Sequence, residues 1–142
     1  MSKYVLVPDS FKGTMTSREI CEIMQHAIER IDSDAKIISV PVADGGEGSV
    51  DAFLSALSGK RKAITVTGPH FEKLSSSYGI TADGTAVIEM SACAGLPLVY
   101  GKKNPEVTTT YGVGELICDA ARSGAKRIVI GLGGSATNDG GC

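Results

Sequence analysis

Ile37-Ile38-Ser39-Val40-Pro41-Val42-Ala43-Asp44-Gly45-Gly46-Glu47-Gly48-Ser49-Val50 is the stretch that decides the fold. Residues 37 to 42 are an apolar run of strand length, and residues 43 to 49 form a sharp polar loop. Val50, Phe53, Leu54 and Leu57 then recur at helical spacing, which predicts a helix ending near Gly59. Upstream, Lys3-Tyr4-Val5-Leu6-Val7 is a second strand-like run, stopped by Pro8. Thr16 and Glu19 have capping-box spacing and should start a helix with the apolar stripe Ile20, Ile23, Met24, Ala27, Ile28 and Ile31. Strand, helix, strand, loop and helix in that order are the grammar of a parallel sheet covered by helices.

The texture changes near residue 60. Residues 62–67 and 78–82 are short strand candidates, and the Asp83-Gly84 turn leads into Ala86-Val87-Ile88-Glu89-Met90. A helix is expected over about 113–123, then a strand over 127–132 and a glycine-rich loop over 131–141. Hairpin-like strands after a βαβ opening predict a second domain with its own mixed sheet, beginning around residues 59 to 62.

Composition narrows the function classes. The 142 residues carry 14 basic and 16 acidic side chains, a formal net charge of -2. That balance offers no electrostatic footprint for nucleic acid or an anionic membrane. No apolar run approaches the roughly 18 residues of a membrane span. The N-terminus enters a strand without a signal-like segment, so a cytoplasmic protein is expected. The cysteines, Cys21, Cys93, Cys118 and Cys142, lack the close pairing of zinc or redox motifs and read as reduced small hydrophobes. Glycine is the outlier: 18 residues, about 13% of the chain against a usual share of about 7%.

Those glycines gather in loops that follow apolar runs, where α/β proteins place ligands. Asp9-Ser10-Phe11-Lys12-Gly13-Thr14 sets an ammonium beside small donors, a phosphate-binding combination that also suits a plain turn. Asp44-Gly45-Gly46-Glu47-Gly48 places two carboxylates among glycines. They suit a magnesium–nucleotide complex, a base, or the N-terminal turn of a helix. In Gly133-Gly134-Ser135-Ala136-Thr137-Asn138-Asp139-Gly140-Gly141, glycine allows close backbone approach to an oxyanion. Ser135, Thr137 and Asn138 add donors there, and Asp139 is a candidate base or metal ligand. Thr108-Thr109-Thr110 leads into a helix whose N–H groups can receive an anion.

Of two common nucleotide motifs, one fails and the other matches only weakly. Between Gly95 and Gly101-Lys102-Lys103 stand five residues where a P-loop needs four, and the final Ser or Thr is missing. Gly131-Leu132-Gly133-Gly134-Ser135-Ala136 matches a loose dinucleotide fingerprint, but Thr-Asn-Asp-Gly-Gly is a poor helix start.

Taken in order, the motifs resemble those of bacterial glycerate kinases. The series runs through Asp9-Ser10-Phe11-Lys12-Gly13, Val42 to Gly48, Val66-Thr67-Gly68-Pro69 and Ile88-Glu89-Met90. It continues through Gly95-Leu96, Asn104-Pro105, Thr109 to Ile117 and Gly133 to Gly141, so it covers essentially the whole chain. The resemblance implies an α/β fold with a Rossmann-like parallel-sheet domain built from both ends of a longer chain, and a second mixed α/β domain inserted between. Residues 1–60 would belong to the first and residues 61–142 to the second. It also implies ATP and Mg2+ as cofactors and D-glycerate as acceptor, with 2-phosphoglycerate favoured over 3-phosphoglycerate as product. A homo-oligomer is compatible with it.

Residue chemistry and motif position together give expected roles. Lys12 and the third-loop backbone at Gly133 and Gly134 would contact phosphate oxygens, helped by Ser10, Gly45, Gly46, Ser135, Thr137 and Asn138. Asp44 and Glu47 would hold magnesium or substrate hydroxyls, with Asp9, Thr109 and Thr110 toward the substrate. Asp139 is the first choice, and Asp44 the second, for accepting the proton of the attacking hydroxyl. The rival readings are a non-catalytic sugar-acid binding fragment and an NAD-linked dehydrogenase. Because the family is more than twice as long, residues 1–142 alone are expected to be inactive, with Ile20, Ile23, Val50 and Phe53 presenting apolar surface to water.

Overall fold

The computed structural model describes every residue except Met1, Lys12, Lys102 and Cys142. The chain packs as two units, residues 1–44 and 45–142.

In the first unit, strand β1 (Lys3–Leu6) pairs in parallel with β2 (Lys36–Ser39), setting Tyr4 opposite Ile37 and Val5 opposite Ile38. Helix α1 (Ser17–Glu29) connects them, which is the predicted βαβ opening. Its capping box is present: the Glu19 N–H donates to Thr16 Oγ1 at 3.2 Å, and the Thr16 N–H donates to Glu19 Oε2 at 2.7 Å. Ser17 Oγ donates to Pro8 O at 2.6 Å and accepts from Val42 N at 3.0 Å, so one hydroxyl joins the segments that leave both strands. Ile20 and Cys21 are buried, but Ile23 is 58% and Ile31 90% exposed. Of the expected stripe only Ile20 is buried and Ile28 half-buried. A sheet of two four-residue strands is too short to cover a thirteen-residue helix.

The second unit begins with α2 (Ser49–Leu57), after which β3 (Gly59–Thr67), β4 (Lys73–Thr81) and β5 (Thr85–Glu89) form an antiparallel meander. A crossover through α3 (Ser91–Ala94), a 3-10 turn at Leu96–Val99 and α4 (Tyr111–Arg122) brings β6 (Arg127–Gly131) parallel to β5. The sheet order β3-β4-β5-β6 is the mixed sheet expected after residue 60.

Successive strand residues face opposite sides of a sheet, and here each side has its own helix. Tyr78 is fully buried with Ile88, Val66, Val113 and Leu116, and its hydroxyl donates to Asp119 Oδ2 on α4 at 2.7 Å. Gly79, the next residue, faces α2: a Cβ there would lie 2.9 Å from Val50 Cγ1. Val50 is accordingly buried, not presented to water, because α2 rests on β4 and β5. The packing boundary at residue 44 and the change of texture near residue 60 do not coincide.

Candidate active site at the carboxyl ends of strands β5 and β6

Parallel strands end together, and the loops leaving their carboxyl ends share one edge. Glu89 and Gly131 are register partners at the ends of β5 and β6, and the Met90 N–H donates to Gly131 O at 2.9 Å. The second glycine loop lies against this edge backbone to backbone. The Gly133 N–H donates to Gly45 O at 3.0 Å. A Cβ on Gly131 would stand 2.2 Å from Gly45 O, and one on Gly133 2.6 Å from Gly46 N. Gly45 itself has φ +93°, a left-handed conformation that glycine accepts without strain. The glycine content of these loops thus permits a contact that side chains would block.

The third loop continues beside α3. The Leu96 N–H donates to Gly134 O and the Ala136 N–H to Ala94 O, both at 2.9 Å. Ser135 Oγ lies 2.9 Å from Thr137 Oγ1 and accepts from Thr137 N at 3.2 Å, a local turn that orders both hydroxyls. Asn138 is exposed.

Asp139 closes the loop onto the start of α4. Its Oδ2 accepts from the Thr110 N–H at 2.6 Å, the Thr110 hydroxyl at 3.0 Å and the Thr109 hydroxyl at 3.3 Å, while Oδ1 accepts from the Gly141 N–H at 3.2 Å. Burial pushes this carboxyl up, but the donors from Thr110 and Gly141 outweigh it and hold Asp139 below the usual carboxylate range. Thr108, Thr109 and Thr110 are all buried.

Two further carboxylates brace the same region. Glu89, 8% exposed, accepts from the Val50 N–H at 2.6 Å, and burial raises its pKa against that bond. Glu115 accepts from the Thr67 N–H and lies 3.4 Å from Lys73 Nζ; the Thr67 bond, opposed by partial burial, holds it below the ordinary range. Cys93 is no nucleophile: burial, with the Glu115 charge, pushes its thiol up to about 12. An open groove of about 800 Å³ runs along α4, lined in part by Met90, Thr110, Tyr111, Glu115, Leu132 and Gly141. It reaches the third loop but not Gly45–Gly48.

The family model described as "Glycerate kinase family" matches residues 4–142. The chain belongs to the glycerate kinase family. It is 50% identical to the "Glycerate 2-kinase" of Escherichia coli (strain K12) over 141 residues, covering 98% of this chain and 37% of that protein. It is 46% identical to the "Glycerate kinase" of Bacillus subtilis (strain 168), with the same coverage. A crystal structure of a glycerate kinase 2 candidate from Salmonella typhimurium LT2 superposes with a TM-score of 0.80 at 40% identity, over 99% of this chain and 38% of that one. The chain thus spans well under half the length of these glycerate kinase relatives.

Of the expected residues, the structure holds Gly45 and Gly46 against Gly131 and Gly133, Ser135 beside Thr137, and Asp139 against Thr109 and Thr110; these and Gly134 all lie in the second unit. Glu47 is in that unit too, exposed, one residue before Gly48, the N-cap of α2. Asp9, Ser10 and Asp44 belong to the first unit: Asp9 accepts from the Ser10 N–H at 2.7 Å, and Asp44 ends the unit, exposed. Lys12 lies outside the described residues. The Gly133 N–H, expected among the phosphate donors, is bonded to Gly45 O. The dinucleotide fingerprint is also weakened, since described residues 132–141 form turns and a bridge, not the helix it requires. No described helix is long and apolar enough to cross a membrane.

Sequence reasoning passed over Glu89 and Glu115 as site-bracing groups. A buried acid ending an otherwise apolar strand was the available signal for Glu89.

Proposed function

We propose that the protein carrying this chain transfers the γ-phosphoryl group of ATP to a hydroxyl of D-glycerate, giving 2-phosphoglycerate. The observation that carries this reading is the pair of glycine loops held backbone to backbone at the carboxyl ends of β5 and β6, in a chain of this family. Phosphoryl transfer needs positioning and charge neutralisation more than covalent chemistry, and closely packed glycine loops supply backbone donors at fixed places. Gly134, Ser135, Thr137 and Asn138 would face phosphate oxygens, with Lys12 and Ser10 added on sequence grounds. Asp139 would accept the proton of the attacking hydroxyl, and Asp44 is the second choice.

Among the described residues, no three His, Cys, Asp or Glu side chains gather into a metal cage. Magnesium needs none, since it takes one or two carboxylates beside phosphate oxygens and water. Glu47, exposed in the second unit, suits that role, and Asp44, in the first, is a candidate for it on sequence grounds. Bound there with the nucleotide, the ion would neutralise phosphate charge. The division of residues 1–60 and 61–142 between two domains, a cytoplasmic location and a homo-oligomeric state are proposed from sequence and resemblance.

A coupled ADP-release assay tests the reading. ADP should appear only with D-glycerate, ATP and Mg2+ together. Binding of glycerate without turnover would favour a sugar-acid binding protein, and reduction of NAD+ a dehydrogenase.

A further inference from the structure

We infer that Glu89 is a positioning residue that sets the Gly45–Gly48 loop for the reaction; this rests on the kinase reading above. Helix α2 starts from Gly48, which has φ +92° and no side chain to cap the exposed N–H groups of the first turn. One of them is satisfied from elsewhere: Glu89 Oε1 accepts from the Val50 N–H at 2.6 Å. The cap therefore comes from the end of β5, which is paired through Glu89 and Gly131 to β6. Gly131 is in turn the residue over which Gly45 packs.

The loop is thus pinned on both sides, at Gly45 by the β6 edge and just past Gly48 by the bond from Val50 to Glu89, with exposed Glu47 between them. Val87 and Glu89 share the sheet face covered by α2, so the carboxylate sits where apolar packing would be expected. Burying an acid costs stability unless its bonds are made, and Glu89 has a raised pKa for that reason. A leucine would fill the same space without that cost. The acid makes sense as a rigid acceptor placed under the loop, because misplacing a reacting group by about 1 Å costs on the order of a hundredfold in rate.

Reach and an acceptor oxygen, not charge, are what this role requires. Glu89→Gln keeps both, Glu89→Asp keeps the charge but shortens the reach, and Glu89→Ala removes both. Kinetics measured well below every variant's unfolding midpoint should show kcat/KM for D-glycerate within about threefold of wild type in E89Q, and lowered roughly ten- to a hundredfold in E89D and E89A. A purely structural acid would shift the midpoint and leave the folded enzyme's constants unchanged. Wild-type constants in folded E89D, or an E89Q as impaired as E89D, would overturn the assignment. If the wild-type protein proves inert toward glycerate, the kinase reading fails separately. Amide exchange at Val50 then decides: faster exchange in E89D and E89A with protection kept in E89Q supports the positioning role, and unchanged protection in all three overturns it.

Discussion

Replacing Asp139 by asparagine is expected to lower kcat by roughly two to four orders of magnitude, the usual weight of a general base, with a modest change in glycerate KM. The carboxylate is ionised at neutral pH because Thr110 and Gly141 donate to it, overcoming the effect of burial. Its proton-accepting form is therefore present throughout the working range, and any acid limb from this group in kcat should lie below the ordinary carboxylate range. The same bonds anchor the start of α4, so the substitution should also cost about 1–3 kcal/mol of stability at pH 7. The sign follows from linkage. A carboxyl whose folded pKa is depressed stabilises above its unfolded pKa, about 3.9, and that contribution is lost as pH falls through the folded value. Wild type and D139N should thus converge in unfolding midpoint in strong acid. A D139N protein with lowered stability but near-normal kcat would leave Asp139 an anchor and move the base to Asp44.

Gly131→Ala should be nearly as damaging, for a different reason. The added Cβ would lie 2.2 Å from Gly45 O and 2.9 Å from its carbonyl carbon. Both are backbone atoms, so no rotamer change relieves the clash and the two loops must separate. Overpacking of this kind costs about 1–3 kcal/mol, and the displaced loops should lower kcat/KM on the order of a hundredfold. Gly114 is the contrast. It lies within α4 with nothing within 4 Å of a Cβ, so alanine there should gain about 0.4–1 kcal/mol. Thermal unfolding and steady-state kinetics on the two alanine variants check both halves; a stable, active G131A would mean that the loops do not need their close approach.

Local signals were legible where the physics is local. Thr16 and Glu19 announced α1 through three-residue spacing, and the 3.6-residue period located α2 and α4 to within a few residues. Strands β3 and β4 proved longer than their apolar patterns, because residues 59–61 and 73–77, mostly polar, are recruited by pairing across the hairpin. Helix α2 looked like part of the opening βαβ unit, yet it packs on β4 and β5, a choice made by partners that follow it in the chain. The site was half readable for the same reason. The glycine loops were visible as composition, but their contact was not. Asp139 meets Thr110 across 29 residues, and Glu89 meets Val50 across 39. No spacing rule reaches that far, so the donors around Asp139 and the cap beneath α2 appear only in the folded chain.

The most direct measurement is identification of the reaction product by phosphorus and carbon NMR, after incubating the protein with ATP, Mg2+ and carbon-labelled D-glycerate. The account predicts one new phosphomonoester, coupled to C2 of glycerate, appearing in step with ADP. Phosphate on no glycerate hydroxyl, or a different sugar acid phosphorylated in preference, would contradict it.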